Sequence, residues 1–279
     1  MGEVKLKFNS LIKGYIRMEQ NKIEKTKQSE YWDSVLDPQN LSEDEEVPVN
    51  LLSELEFYEA PAQEFAYDLM GDIEGKSILE IGCGLGVNAI ILAQEGAQVT
   101  GLDLSSRRLE AVSEIIMENE ISGINLVCGS GETLPFPDES FDIVYTNAVM
   151  IHMDKPKAIK EIRRVLKPGG VAVMVEPMKY HPLANLYRVL MAPRMWRTIA
   201  DYITFKDLES FDNHFDSYGH KEFYFISFLS FYWQFIMRNL LLFHKSLMIL
   251  QPIDSLLFRI IPPLGRVAWF TVYWGRRAR

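Results

Sequence analysis

The sequence predicts an α/β protein whose core is a doubly wound, mostly parallel sheet, and two observations predict it. First, apolar runs of strand length at 77–81, 98–102, 125–127, 141–146 and 171–176 alternate with helical patterns around 87–95, 107–119 and 157–166. Crossover connections between parallel strands require that alternation. Second, acids and glycine turns sit where these strands end, which is the edge at which open parallel sheets bind ligands.

Taken in order, the first strand runs into Glu80-Ile81-Gly82-Cys83-Gly84-Leu85-Gly86. A strand turning straight into a helix needs positive φ and a close backbone approach, which glycine permits. The amides at the helix start are expected to face the ligand. A pyrophosphate dinucleotide would call for G-x-G-x-x-G, but here the third glycine comes one residue early, at Gly86, and Val87 takes the dinucleotide position. Glu80, two residues before the first glycine, would also repel pyrophosphate. A cationic ligand carrying a ribose fits better, because Asp103 ends the second strand near the offset at which an acid takes ribose hydroxyls.

These residues resemble the class I S-adenosylmethionine-dependent methyltransferases, whose E/D-x-G-x-G-x-G motif reads here as Glu80, Gly82, Gly84 and Gly86. The resemblance continues through Gly129-Ser130-Gly131-Glu132-Thr133-Leu134-Pro135-Phe136, Ser140-Phe141-Asp142-Ile143-Val144 and Arg164-Val165-Leu166-Lys167-Pro168-Gly169-Gly170. It covers about 75–177 and is nearest to the group that methylates quinones, sterols and other small molecules. It implies a Rossmann-like seven-stranded sheet whose last strand is antiparallel, with strands six and seven within 213–225 and 266–274. It also implies S-adenosylmethionine as cofactor, with Glu80 at the methionyl end, Asp103 on the ribose, and Gly82, Cys83, Gly84, Gly86, Leu104 and Asn147 around them. Many relatives place an Asp against the adenine amine where this chain has Ser130, so adenine contacts fall to Ser130, Gly131 and Glu132.

Composition bounds what lies outside those motifs. A chain of 279 residues, 48% hydrophobic, can bury a sizeable core. Two cysteines, Cys83 and Cys128, offer neither a disulfide framework nor a metal cluster, and the N-terminus has no apolar core of signal-peptide length. The expectation is a cytoplasmic protein without a metal. Net charge is −9, yet 221–279 carries eight Lys/Arg against two Asp/Glu, a net +6 beside −15 for the rest. An acidic body argues against nucleic acid as partner. The nucleobase methylases lose their Asn/Asp-Pro-Pro-Tyr/Phe motif too, since Asn147-Ala148-Val149-Met150 stands there, and no Pro-Cys occurs.

Residues 1–74 read as a helical extension, a lid over the cofactor in which Tyr31-Trp32 or Phe57-Tyr58 supplies aromatic contacts, with Glu43-Asp44-Glu45-Glu46 as a solvated loop. The domain proper is 75–279, carrying an apolar insertion at about 226–264. The aromatic run 223–237, as a helix, would span roughly 22 Å at about 1.5 Å per residue, short of the ~30 Å of bilayer hydrocarbon. Three readings of the insertion stay open: contact with the inner face of a membrane, favoured by neighbouring basic residues; a homodimer interface; and plain core. His152 and His181 are the candidate catalytic bases; Glu176 is read as a loop anchor, and Tyr58 and Tyr180 as substrate contacts. The expected reaction is methyl transfer to a lipid, quinone or isoprenoid-like small molecule. The alternatives are a soluble metabolite, with the insertion as pocket wall, and a cofactor-binding scaffold without turnover.

Overall fold

The structure, a computed structural model, describes residues 61–190 and 200–279. Seven strands form one sheet: β1 (Ser77–Ile81), β2 (Gln98–Asp103), β3 (Ile124–Cys128), β4 (Phe141–Asn147), β5 (Leu166–Pro177), β6 (Ser217–Phe223) and β7 (Phe270–Arg276). Their order is β3-β2-β1-β4-β5-β7-β6. The first five pair in parallel, and β7 runs antiparallel to both β5 and β6. The helices are α1 (Pro61–Met70), α2 (Val87–Gln94), α3 (Ser106–Glu118), α4 (Lys155–Val165), α5 (Pro182–Leu190), α6 (Phe205–Asp212), α7 (Phe231–Phe235) and α8 (Leu240–Ile260).

Both faces of the sheet are covered, which is why its central strands read as continuous apolar runs. Alternate residues serve opposite sides. Ile78, Tyr145 and Val173 pack with Ala62 and Ala66 of α1 and Leu92 of α2, whereas Leu79, Val144 and Ala172 pack with Ile159 and Ile162 of α4 and Phe211 of α6. Helix starts are capped as their sequences dictate: Ser105 accepts from Arg108 N on α3, Asp154 from Lys157 N on α4, and Thr204 with Asp207 forms a capping box on α6.

β5 begins five residues earlier than the apolar run at 171–176 indicates. Leu166 pairs with Phe141 and Val171 with Ile143, so the Lys-Pro-Gly-Gly turn at 167–170 bulges inside the strand.

The aromatic run at 223–237 is not one helix. Phe223 ends β6, Tyr224 follows at φ 64°, a 3-10 turn (Ser227–Ser230) comes next, and α7 is short. Phe223, Tyr224 and Phe231 are buried, with the Phe231 ring 4.7 Å from Trp269 and 5.0 Å from Phe243. The Tyr224 hydroxyl accepts from Ala62 N at 2.9 Å, satisfying an amide at the start of α1 that has no intrahelical partner. These rings are core, and the long apolar helix lies downstream, at α8.

Candidate active site at the carboxyl edge of the sheet

The glycine loop joins β1 to α2 with Gly82, Gly84 and Gly86 all at positive φ. A Cβ on Gly82 would lie 2.4 Å from Val149 Cγ2, and one on Gly86 2.6 Å from Val112 Cγ1, so both close approach and backbone conformation require glycine. Four amides of the loop are engaged within the protein. Gly82 N and Cys83 N donate to Leu102 O at 2.7 and 3.1 Å, Gly86 N to Cys83 O at 2.8 Å, and Gly84 N to Asp103 Oδ2 at 2.9 Å. Three of these amides stitch the loop to the end of β2 and the fourth closes the loop on itself, so these four build no anion cradle. Cys83 is buried in this loop, and burial, then the charges of Glu80 and Asp103, push its thiol well up. It is therefore a neutral packing residue.

Two carboxylates line the edge. Glu80, 1% exposed, accepts on Oε1 from Asn88 Nδ2 at 3.0 Å, and Asn88 Oδ1 in turn accepts from the Tyr67 hydroxyl at 2.8 Å. Asn88 and Tyr67 are absent from the sequence reading. The signal for Asn88 was its polarity near the start of the otherwise apolar Val-Asn-Ala-Ile-Ile-Leu helix. Asp103, 8% exposed, accepts from Gly84 N on one oxygen and from Ser105 N, at 2.9 Å, on the other. Each of its oxygens keeps a second lone pair. Leu104, half-buried beside it, accepts from Cys128 Sγ through its carbonyl at 3.8 Å.

At the end of β3, the Ser130 hydroxyl accepts from Glu132 N at 3.2 Å, which closes the turn. Gly131 is pressed between Ile81 and Met153, whose Sδ would lie 2.5 Å from a Cβ there. Glu132 Oε1 accepts from Asp154 N at 2.9 Å, so this acid ties the loop to the start of α4.

β4 and β5 complete the edge. The half-buried Asn147 side chain makes no hydrogen bond with the described residues, and Ala148 beyond it has φ 54°, an uncommon conformation for a residue with a Cβ. Glu176 Oε1 anchors this loop, accepting from Thr146 Oγ1 at 2.8 Å, Met150 N at 3.2 Å and Val149 N at 3.3 Å. Glu176 Oε2 is buried without a hydrogen-bond partner among the described residues. Burial outweighs the donors and pushes Glu176 up to about 7.

The two histidines differ. His152 is half-buried on a 3-10 turn (Met150–His152) beyond β4. His181 is buried: Ala184 N donates to its Nδ1 at 3.1 Å, which makes Nε2 the protonated nitrogen, donating to Phe225 O at 3.1 Å. Burial lowers its pKa. As a candidate base His181 is corrected to a positioning residue, because both ring nitrogens are engaged in capping α5 and holding Phe225. Tyr180 next to it is exposed, while Tyr58, Tyr31-Trp32 and Phe57 lie outside the described residues.

α5 follows directly on β5 and folds back on its exit. Asn185 Nδ2 donates to Lys179 O at 2.8 Å and Arg188 Nη1 to Met178 O at 3.0 Å, while the Arg188 guanidinium lies 3.5 Å from the Tyr202 ring centre. The exposed side of α5 is apolar: Leu183, Leu186, Tyr187 and Leu190 recur at helical spacing.

Residues 79–174 match a family described as a methyltransferase domain. The chain is 36% identical over 124 residues to a fatty-acid O-methyltransferase of Mycolicibacterium smegmatis, covering 43% of each chain. It is 33% identical over 126 residues to a 2-methyl-6-phytyl-1,4-hydroquinone methyltransferase of Synechocystis, covering 44% of this chain and 38% of that one. The matches thus span less than half the length of these relatives. Among solved structures, a geranyl diphosphate C-methyltransferase from Streptomyces coelicolor superposes over 98% of both chains with a TM-score of 0.59 at 13% identity, a likeness of fold. Residues 79–174 thus match a methyltransferase domain, and the sheet that they belong to, with its antiparallel seventh strand and a glycine loop between two strand-end acids, has the class I methyltransferase fold.

Proposed function

We propose that this chain transfers the methyl group of S-adenosylmethionine to a hydrophobic or amphipathic small molecule of the lipid, quinone or isoprenoid type. The observation that carries the acceptor class is α5. An apolar helix face stands exposed immediately after β5, at the edge that holds Glu80, Asp103 and Asn147. Relatives named for fatty-acid and phytyl-hydroquinone methylation point the same way.

The residues at this edge fit the cofactor. The glycine loop turns four amides inward and presents carboxylates, which suits a cation rather than a pyrophosphate. Asp103 accepts ribose hydroxyls on the lone pairs that Gly84 N and Ser105 N leave, as charge-assisted bonds. Glu80, oriented by Asn88, favours the ammonium end. Bound S-adenosylmethionine supplies an electrophilic sulfonium methyl, so the protein's task is to orient the acceptor and exclude water. In this reading the acceptor is held by the loop 147–152, tied by Glu176, and by the apolar face of α5. Where the acceptor is an acidic hydroxyl, His152 takes its proton.

The test is incubation of host extract with methyl-labelled cofactor, followed by partition into organic solvent. Label is expected in the organic phase. Label confined to the aqueous phase overturns the acceptor class, and calorimetric cofactor binding without any labelled product overturns methyl transfer.

A further inference from the structure

α8 carries a second apolar surface that the methyl-transfer reading does not use. The helix packs on the domain through Phe243, Leu247 and Asp254, all buried. On its opposite side Leu241, Met248, Ile249, Ile253, Leu256 and Ile260 are exposed, recurring at the spacing of a single helix face. Exposed aliphatics in such number, contiguous along one element, mark a contact surface. Their surroundings carry one sign of charge. Between 224 and 264 the only acid is Asp254, which is fully buried and accepts from the amides of Phe225, Ile226 and Ser227 at 2.9, 2.8 and 3.0 Å and from Ser227 Oγ at 2.6 Å. The exposed charges of that stretch are the cations Arg238, Lys245 and Arg259, and the last two lie on the apolar face itself.

We infer that α8 is a membrane-docking helix, lying in the interface of an anionic lipid surface with its aliphatic face among the acyl chains and Lys245 and Arg259 reaching the headgroups. Charge complementarity selects this occupant: a cationic, acid-free apolar face suits anionic lipid and would repel a second copy of itself. Pro252 removes a donor to the carbonyl of Met248, a residue on the exposed side where headgroup or water can satisfy it. By length and composition α8 could cross a membrane. Its buried side, clamped to the domain through Asp254, sets it along the surface instead.

The clamp also connects docking to the site. Asp254 holds Phe225 N, the Phe225 carbonyl accepts from His181, and His181 caps α5 at the exit of β5. Docking through α8 is thus joined by this chain of hydrogen bonds to the start of α5.

Flotation of the full chain with vesicles of equimolar phosphatidylcholine and phosphatidylglycerol tests this. The protein is expected to float with them, and about tenfold or more weakly with phosphatidylcholine alone or at high salt. The triple variant Met248→Glu/Ile249→Glu/Leu256→Glu alters only exposed positions. It is expected to lose vesicle binding by about tenfold or more while keeping its melting temperature and its calorimetric affinity for S-adenosylmethionine. Lys245→Gln/Arg259→Gln is expected to lose the preference for anionic vesicles. The inference is overturned if the full chain stays with the soluble fraction, if the triple variant floats like its parent, or if the parent sediments as a dimer that the triple variant dissociates. None of these outcomes depends on methyl transfer, so either reading can fail without the other.

Discussion

Burial pushes Glu176 up to about 7 although Thr146 Oγ1 and the amides of Val149 and Met150 donate to it. Its neutral form is favoured in the fold at pH values where an unfolded glutamate is already ionised. A raised carboxyl contributes stability that is complete below the unfolded pKa and lost as pH climbs through the folded one. From an ordinary 4.5 to about 7, the loss amounts to about 3 kcal/mol. Glu176→Gln is expected to flatten that slope and to melt higher than the parent at pH 8; thermal melts from pH 5 to 8 check it, and parallel curves refute it. Asp103 is argued at the same scale. Replacing it with Ala strips acceptors from Gly84 N and Ser105 N as well as from the ribose, so cofactor affinity is expected to fall at least about tenfold, and unchanged calorimetry would dismiss the ribose role. The type and strand-end position of Glu80 and Asp103 were legible in the sequence because four ordered motif blocks surround them. The engagement of both His181 nitrogens was not, since Phe225 approaches from 44 residues away.

At the level of elements, the boundaries of β1 to β4 follow the apolar runs to within a residue or so, because both sheet faces are covered and hydrophobicity ends where burial ends. The insertion is the contrary case. Aromatic density at 223–237 reads like an exposed or membrane-facing helix, but Trp269 and Phe243 arrive from distant sequence to bury Phe231. Phe223 and Tyr224 are core, Tyr232 and Phe235 stay exposed, and a longer exposed apolar face falls on α8. Asp254 determines how α8 is held, and its four donors make a substitution informative. Asp254→Ala leaves the amides of Phe225, Ile226 and Ser227 without a partner and is expected to cost about 3 kcal/mol. Hydrogen exchange across 240–260 should then accelerate more than exchange in β1 and β4. Equal acceleration everywhere would show that the clamp is not local.

For the whole molecule, a cofactor held as proposed, across the ends of β1, β2 and β3, binds only the folded sheet. At a hundred times its dissociation constant, S-adenosylmethionine is expected to raise the unfolding free energy by about 2.7 kcal/mol, seen as a higher denaturant midpoint at unchanged slope. A midpoint that ignores the cofactor would deny the site. Sequence alone determined the alternation of strands and helices, the acid and glycine positions at one sheet edge, and the cationic, ribose-bearing class of ligand. Each is written in residues close to one another along the chain, through period, spacing and side-chain charge. Tertiary structure alone decided that amides of the glycine loop turn inward to β2, that both ring nitrogens of His181 are engaged, and that α8 carries an exposed apolar face. Each of these depends on which distant residue, Leu102, Phe225 or Asp254, packs against the local pattern and satisfies its polar groups.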